Sequence, residues 1–313
     1  MRTRTILCPV MGLAFAVCGA QAETLVLTAD FVKRVKNKAA MQVNLKVDAH
    51  PDSPHRIKSG GDDGDIHMAG RADEVQLPLV AEIVNARKEE ASMKLLKQTA
   101  AGQTLQVRGV WRIWFEHLGK EDQIQGSPVD VPGDSNPAHL FEIHPITKFA
   151  DQEIKRTSFV PIVNEKSKKS YTAYPAHVAF PFYEKAKATI SAKDGAVTIT
   201  SGAGKYNYAE FVIELAGKAQ SDGDDGLFVL ATVHDTEEES EEEAVTEDVR
   251  RMVFVQGTKP ADQVAGLSQG RRLHVLGIPR LNLAEVAEMA TEEPTKTRLP
   301  YEMIIVAVLP DSK

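Results

Sequence analysis

The sequence predicts a mostly β protein with short helices, built as two tandem five-stranded barrels, and three observations carry that prediction. First, Gly102-Gln-Thr-Leu105-Gln-Val107-Arg-Gly109-Val110-Trp-Arg112-Ile113 returns 168 residues later as Gly270-Arg-Arg-Leu273-His-Val275-Leu-Gly277-Ile278-Pro-Arg280-Leu281. Seven positions keep their residue or an apolar equivalent, which is the mark of a duplicated unit. Second, each copy precedes a strand that joins an aromatic residue to a glutamate: Phe141-Glu142-Ile143-His144 and Tyr301-Glu302-Met303-Ile304. Third, the segments around each copy run in one order: three strands, a short helix, two strands.

In the first unit, Met41 to Asp48 alternates apolar and polar residues, as a half-buried strand does. The cluster Gly60-Gly61-Asp62-Asp63-Gly64 turns the chain into a short strand from Asp65 to Met68. Leu77 to Val84 is a more continuously apolar strand. Arg87 to Gln98 sets Ala91, Met93, Leu95 and Leu96 among charges and predicts a short amphipathic helix before Gly102. Leu105 to Phe115 and Leu140 to Phe149 complete the set.

The second unit gives strands at Glu210 to Leu215, Leu227 to His234 and Arg251 to Gln256. A helix follows at Pro260 to Leu267, then strands at Arg272 to Leu283 and Tyr301 to Leu309. This is the order of the Greek-key barrel called the OB-fold, in which the helix after the third strand plugs one end. Gly109 and Gly277 fall inside the long fourth strands, where a small residue permits the bend that closure requires. Lys187 to Thr200 predicts an extra hairpin turning at Asp194-Gly195, and Thr24 to Val32 an added N-terminal strand. The resulting division is 1–22 leader, 23–150 first barrel, 151–175 lysine-rich linker and 176–313 second barrel with an acidic loop at 235–248.

The leader has the form of a secretory signal. Arg2 and Arg4 precede an apolar stretch from Ile6 to Val17 that is too short to span a bilayer, and Ala20-Gln21-Ala22 suits cleavage before Glu23. Lipidation at Cys18 is the rival processing route, but Phe15-Ala16-Val17 is a poor lead-in to it. The sequence has two cysteines, Cys8 and Cys18, so cleavage leaves a chain without a thiol or disulfide, as suits a bacterial periplasmic or secreted protein. Cleavage also leaves 35 basic and 44 acidic side chains, a formal charge of −9. That balance opposes attraction to nucleic acid or anionic lipid, and no later apolar run reaches membrane-spanning length.

Candidate functional residues fall into three groups. Asp65 and His67 are two apart and share a strand face, as do Glu142 and His144, with Glu82 near a neighbouring strand end. Imidazole and carboxylate suit zinc, manganese or iron when three or four converge, so Asp65, His67, Glu82, Glu142 and His144 form the candidate metal set. The same residues can instead satisfy backbone groups in a core. Comparison of the copies helps: Glu142 recurs as Glu302, whereas His144 aligns with Ile304, so the histidines belong to the first unit alone.

The second group is Trp111 and Trp114 with Arg108 and His117, which would bind a ligand by stacking and charge if exposed on a barrel face. Against this, aromatics on strands commonly form core, Pro279 replaces Trp111, and the recurrence of Arg112 as Arg280 favours a shared ion pair. The third is the acidic run from Asp235 to Asp248, nine carboxylates in fourteen residues, which suits a solvated loop and lacks EF-hand spacing. No G-x-S-x-G elbow, P-loop, Rossmann fingerprint or H-E-x-x-H helix is present.

Asp63-Gly64-Asp65-Ile66-His67, Val107-Arg108-Gly109-Val110 and Glu142-Ile143-His144-Pro145-Ile146 resemble the D-G-D-x-H, V-x-G-V and E-[IL]-H-P-V strands of a group of uncharacterised, often exported bacterial proteins. The resemblance covers Gly61 to Phe149; Trp111 to Leu118 departs from the group's phenylalanine-rich continuation. It implies a small β-barrel domain in which Asp65, His67, Glu82, Glu142 and His144 match the motif. The expectation is a non-enzymatic exported binding protein without a cofactor, whose ligand is a glycan, peptide, protein or cation; a divalent metal is the one cofactor the donors allow. The alternatives are a metal-dependent hydrolase using the first-barrel set, with Glu82 or Glu142 as base, and a structural component of an envelope assembly.

Overall fold

A computed structural model describes residues 22–56, 63–154, 173–202, 204–221, 225–236 and 244–310. Residues 1–21, where a leader is expected, most of the expected linker and the centre of the acidic run lie outside the described residues. The first half runs β1 (Ala22–Thr28), α1 (Ala29–Val35), β2 (Ala40–Ala49), β3 (Ile66–Arg71), β4 (Leu79–Ile83), a 3₁₀ turn (Ala86–Lys88), α2 (Glu90–Gln98), β5 (Thr104–His117), β6 (Gln123–Ile124), β7 (His139–Phe149) and β8 (Gln152–Glu153). The second half opens with β9 (Tyr174–Pro175), α3 (Ala176–Lys185), β10 (Lys187–Lys193), β11 (Ala196–Gly202), β12 (Ala209–Leu215), β13 (Gln220–Ser221) and β14 (Gly226–His234). It ends with β15 (Arg250–Val255), α4 (Lys259–Val264), β16 (Arg272–Leu281), α5 (Leu283–Met289), β17 (Thr295–Arg298) and β18 (Tyr301–Val308).

Both expected barrels are present and closed. In the first, β2 pairs with β3 and β5, β3 with β4, and β7 closes the ring by pairing in parallel with β4 and antiparallel with β5. In the second, β12 pairs with β14 and β16, β14 with β15, and β18 closes the ring on β15 and β16. Register shifts fall beside Gly109 and Gly277. A Cβ on Gly109 would sit 2.6 Å from the Pro145 carbonyl oxygen and 2.8 Å from Ile146 Cα, so the strands can cross this closely only at glycine.

The two barrels share a third sheet, in the order β17-β10-β11-β1-β6. β1 lies antiparallel to β11 from Ala22 opposite Gly202 to Thr28 opposite Ala196. The first strand of the chain is thereby fixed to a hairpin from the second half, which turns with positive φ at Asp194 and Gly195 as the Asp-Gly pair predicts. The expected strand from Thr24 to Val32 ends early. Thr28 caps α1, its hydroxyl accepting the Phe31 N–H at 3.2 Å, and Phe31, Val32 and Val35 turn one helical face into the core.

Alternation sorts the first barrel's strands cleanly. Ile66 and Met68, Leu79, Ala81 and Ile83, and Phe141 and Ile143 fill the main core, while α2 contributes Met93 and Leu96. His67, Glu82, Glu142 and His144 have the opposite parity and project outward. The second barrel covers that outer face. Its own outward residues Phe228, Val253, Leu276, Ile278 and Ile304 pack with Ala39, Ala40 and Val110 in a second apolar cluster between the barrels. Among the described residues no helix is long and apolar enough to cross a membrane.

Candidate metal centre

Three adjacent strands set the geometry. His67 on β3 stands opposite Glu82 on β4. β4 and β7 run parallel with Ala81 beside Ile143, which places Glu82 next to His144. Two strand pairings therefore line up His67, Glu82 and His144 on one face. The Asp63-Gly64-Asp65 turn brings two more carboxylates against them. Gly64 takes φ +68°, the Asp65 N–H bonds to Asp63 Oδ1 at 3.1 Å, and the Asn85 and Ala86 N–H groups hold the Asp63 and Gly64 carbonyls.

The polar atoms converge. His67 Nε2 lies against Asp65 Oδ2 and 3.5 Å from Glu82 Oε1. The other Glu82 oxygen, Oε2, lies against His144 Nδ1. His144 Nε2 meets Tyr208 Oη at 2.9 Å, and that hydroxyl donates to Asp63 Oδ2 at 2.9 Å. His55 Nδ1 lies 3.0 Å from Asp65 Oδ1 and its ring meets His67 edge-on, with centroids 4.5 Å apart. Asp63, Asp65, His67, Glu82 and His144 are all buried, and His55, with 54% of its side chain exposed, forms the rim. Asp63, Glu82 and His144 make one group whose donor atoms fit a single ion, and His55, Asp65 and His67 make another.

Electrostatics bind the cluster together. Burial opposes charge on His67, but Glu82 and Asp65 outweigh it and push its pKa up to about 10. Burial likewise opposes the His144 imidazolium, and Glu82, then Glu142 and Asp63, raise it to about 9. Asp63 is pushed up to about 8 by burial and by the neighbouring Asp65 charge. Burial also disfavours Asp65 ionisation, yet the hydrogen bonds from His55 and His67 hold it below the usual carboxylate range. In the metal-free protein, protons on the two histidines do the neutralising that a cation would do.

Glu142, expected among the donors, lies outside these two groups and forms a third with His117 and His139 whose donor atoms also fit a single ion. Its Oε2 accepts from Arg112 Nη1 at 2.6 Å and its Oε1 faces His139 Nε2 at 3.1 Å, leaving His144 Nδ1 at 3.8 Å. Burial raises its pKa, but Arg112 and His139 hold it well below the usual carboxylate range. His117 stacks on His139 with centroids 4.6 Å apart, at the end of this row, and burial beside His139 lowers its pKa.

The expected aromatic platform is not at the surface. Trp111 is buried, donates from Nε1 to the Lys38 carbonyl at 2.6 Å and carries Arg280 3.7 Å from its ring centre. Trp114 is buried against Tyr183 and against Gly204, where a Cβ would come within 2.6 Å of the indole nitrogen. Neither tryptophan presents a face to a ligand, because both lie under the second half of the chain. Arg108 is exposed on β5, away from this buried pair, and its carbonyl accepts from Thr147 Oγ1.

Sequence reasoning missed His55, Asp63 and Tyr208 as members of the cluster. Asp63 carried a signal, since it is spaced from Asp65 as Asp65 is from His67. His55 lies in a loop with no periodicity, and Tyr208 arrives from the other barrel.

The second barrel is an internal control for the site. There Phe228 stands opposite Val253, and Val253 beside Ile304, in the same two pairings. His67, Glu82 and His144 thus occupy the positions that Phe228, Val253 and Ile304 fill with a buried apolar contact. The fold does not require charge at these positions.

No protein-family model matches the sequence and no curated protein matches it. Among solved structures the chain is similar to the wild-type single-stranded DNA binding protein from Thermus aquaticus. That match has 10% identity, covers 88% of this chain and 92% of that one, and has a TM-score of 0.22. A deletion variant of the same protein matches at 9% identity over 88% and 93% of the two chains, with a TM-score of 0.22. Superposition at that level carries no functional argument.

Proposed function

We propose that this chain is an exported binding protein whose ligand is a divalent transition-metal cation held on the outer face of the first barrel. The observation that carries the reading is the buried convergence of His67, Glu82 and His144, at positions where the second barrel places Phe228, Val253 and Ile304. Burying charged groups costs several kcal/mol each unless they are paired, so a cluster that the fold does not need points to a use. Nitrogen and oxygen donors together suit zinc, manganese or iron(II) rather than calcium or magnesium.

Binding is favoured over hydrolysis because the inner donors are enclosed. A catalytic metal keeps an open position facing a substrate cleft, whereas a holding site is closed. Here Asp63, Glu82 and His144 are buried beneath Tyr208, and the cavity of about 460 Å³ lined by Leu79, Ile124, Pro128 and Pro137 includes none of the donors. The basic start at Arg2 and Arg4, the apolar run from Ile6 to Val17 and the Ala20-Gln21-Ala22 cleavage site support export, and the formal charge of −9 after cleavage supports a cationic ligand over nucleic acid.

The test is metal analysis of protein purified without a histidine tag, followed by chelation and reloading. Stoichiometric zinc, manganese or iron, with a lower melting temperature after chelation, is the expected result. Protein that is metal-free as purified, takes up none on reloading and melts identically with and without chelator would overturn the reading.

A further inference from the structure

Resting on that reading, we infer that the site holds two metal ions side by side, bridged by the Glu82 carboxylate. The six donor side chains divide into two complete sets of three. His55, Asp65 and His67 form an outer set of two nitrogens and a carboxylate, and Asp63, Glu82 and His144 form an inner set of one nitrogen and two carboxylates. Glu82 faces both. One of its oxygens is 3.5 Å from His67 Nε2, and the other lies against His144 Nδ1. A carboxylate that offers one oxygen to each of two ligand sets is the arrangement that spaces two metals about 3.5–4 Å apart.

One further feature fits a pair. His144 is fully buried with its Nδ1 against a Glu82 oxygen, so a nitrogen and an oxygen converge where a cation would join them. The ions differ in access. The inner set is closed by Tyr208, while the outer set ends on exposed His55, so the outer ion exchanges faster and binds more weakly.

Zinc alone is the probe. Metal-free full-length protein is titrated with zinc and counted by native mass spectrometry, in parallel with His55→Ala, whose substitution lies on an exposed loop and leaves the barrel core intact. Two zinc ions per wild-type chain and one per His55→Ala chain is the expected result. One zinc ion in the wild type overturns the pair while leaving the single-site reading standing, and none overturns both. Manganese-loaded protein provides a second arm: exchange coupling between two manganese ions in the electron paramagnetic resonance spectrum supports the bridge. Two bound ions with uncoupled spectra would overturn it.

Discussion

Arg112 and Arg280 hold the two barrels together by a reciprocal exchange. Arg112 Nε donates to the carbonyl of Pro279 at 3.0 Å, and Arg280 Nη1 donates to the carbonyl of Trp111 at 3.1 Å, so each arginine bonds the residue that precedes the other. Each also keeps a glutamate of its own barrel: Arg112 Nη1 to Glu142 at 2.6 Å and Arg280 Nε to Glu302 at 2.6 Å. The repeat in the sequence is therefore the pseudo-symmetric seam of the molecule. Arginine suits it because one planar fork serves a carboxylate and several carbonyls at once.

Breaking one side of the seam takes an arginine from a buried carboxylate that keeps one other partner, His139 on Glu142 or Arg251 on Glu302, which costs up to roughly 3 kcal/mol. Arg112→Ala is expected to lower unfolding stability by about that amount through Glu142, and Arg280→Ala through Glu302. Because the two arginines meet at one interface, the double variant should cost less than the sum of the singles. Urea unfolding of the three variants checks this, and a loss below about 1 kcal/mol for either single change would contradict the seam.

The strand order, the short helix before the fourth strand and the Gly109 and Gly277 bends were legible because each is a local pattern of two-residue alternation or turn chemistry. The shared sheet was not, since β1 pairs with β11 across more than half the chain and nothing near Leu25 specifies Ile199 as its partner. The helices α3 and α5 were hidden too, with Pro181 inside the first and few residues in the second. Recurrence pointed to a shared ion pair at Arg112, whose partner is Glu142 at 2.6 Å. Whether Trp111 and Trp114 form core or a ligand platform stayed open in the sequence, because alternation tells which side of a strand a residue takes, but not what covers that side; both are buried.

Stability of the chelated protein should fall as pH rises from neutral toward 10. The histidine pKa values are raised from 6.5 to about 10 at His67 and about 9 at His144, so their contribution is complete below about pH 6.5 and is lost through the folded values. Asp63, raised to about 8 from 3.8, acts in the same direction between those values, since its neutral form is the favoured one. Melting temperatures from pH 6 to 10 should decline for the wild type and flatten for His67→Gln/His144→Gln. A flat wild-type curve would contradict the proton-neutralised cluster.

Metal loading should release protons. At pH 7 both buried imidazoles are protonated in the metal-free protein, and a metal takes the neutral ring. Calorimetric titration with zinc in buffers of different ionisation enthalpy is expected to show at least two protons released per chain. Affinity should consequently weaken as pH falls. Binding enthalpies independent of the buffer would rule this out.

Tyr208→Phe removes one oxygen from the junction between the barrels. That hydroxyl links His144 Nε2 to Asp63 Oδ2 at 2.9 Å on each side, and both partners are buried. Leaving them without it costs roughly 1–3 kcal/mol. The expected result is a lower melting temperature in the metal-free protein and a smaller deficit once zinc engages Asp63 and His144. An equal deficit in both states would show that Tyr208 supports the fold but not the site.

The strongest discrimination comes from giving the first barrel the side chains of the second. His67→Phe, Glu82→Val and His144→Ile together install the residues found at the matching register of β14, β15 and β18, where they pack at 6%, 0% and 1% exposure. Replacing a buried charged cluster by packed apolar groups is commonly neutral or stabilising by about 1–4 kcal/mol, whereas removing one member strands the rest. With Asp63→Asn and Asp65→Asn added so that no buried carboxylate is stranded, the combined variant should fold, bind no metal at the inner set and hold the stability of the chelated wild type, while Glu82→Val alone should be clearly destabilised. If the combined variant fails to fold, or is weaker than Glu82→Val, the cluster is part of the barrel's framework and not a site added to it.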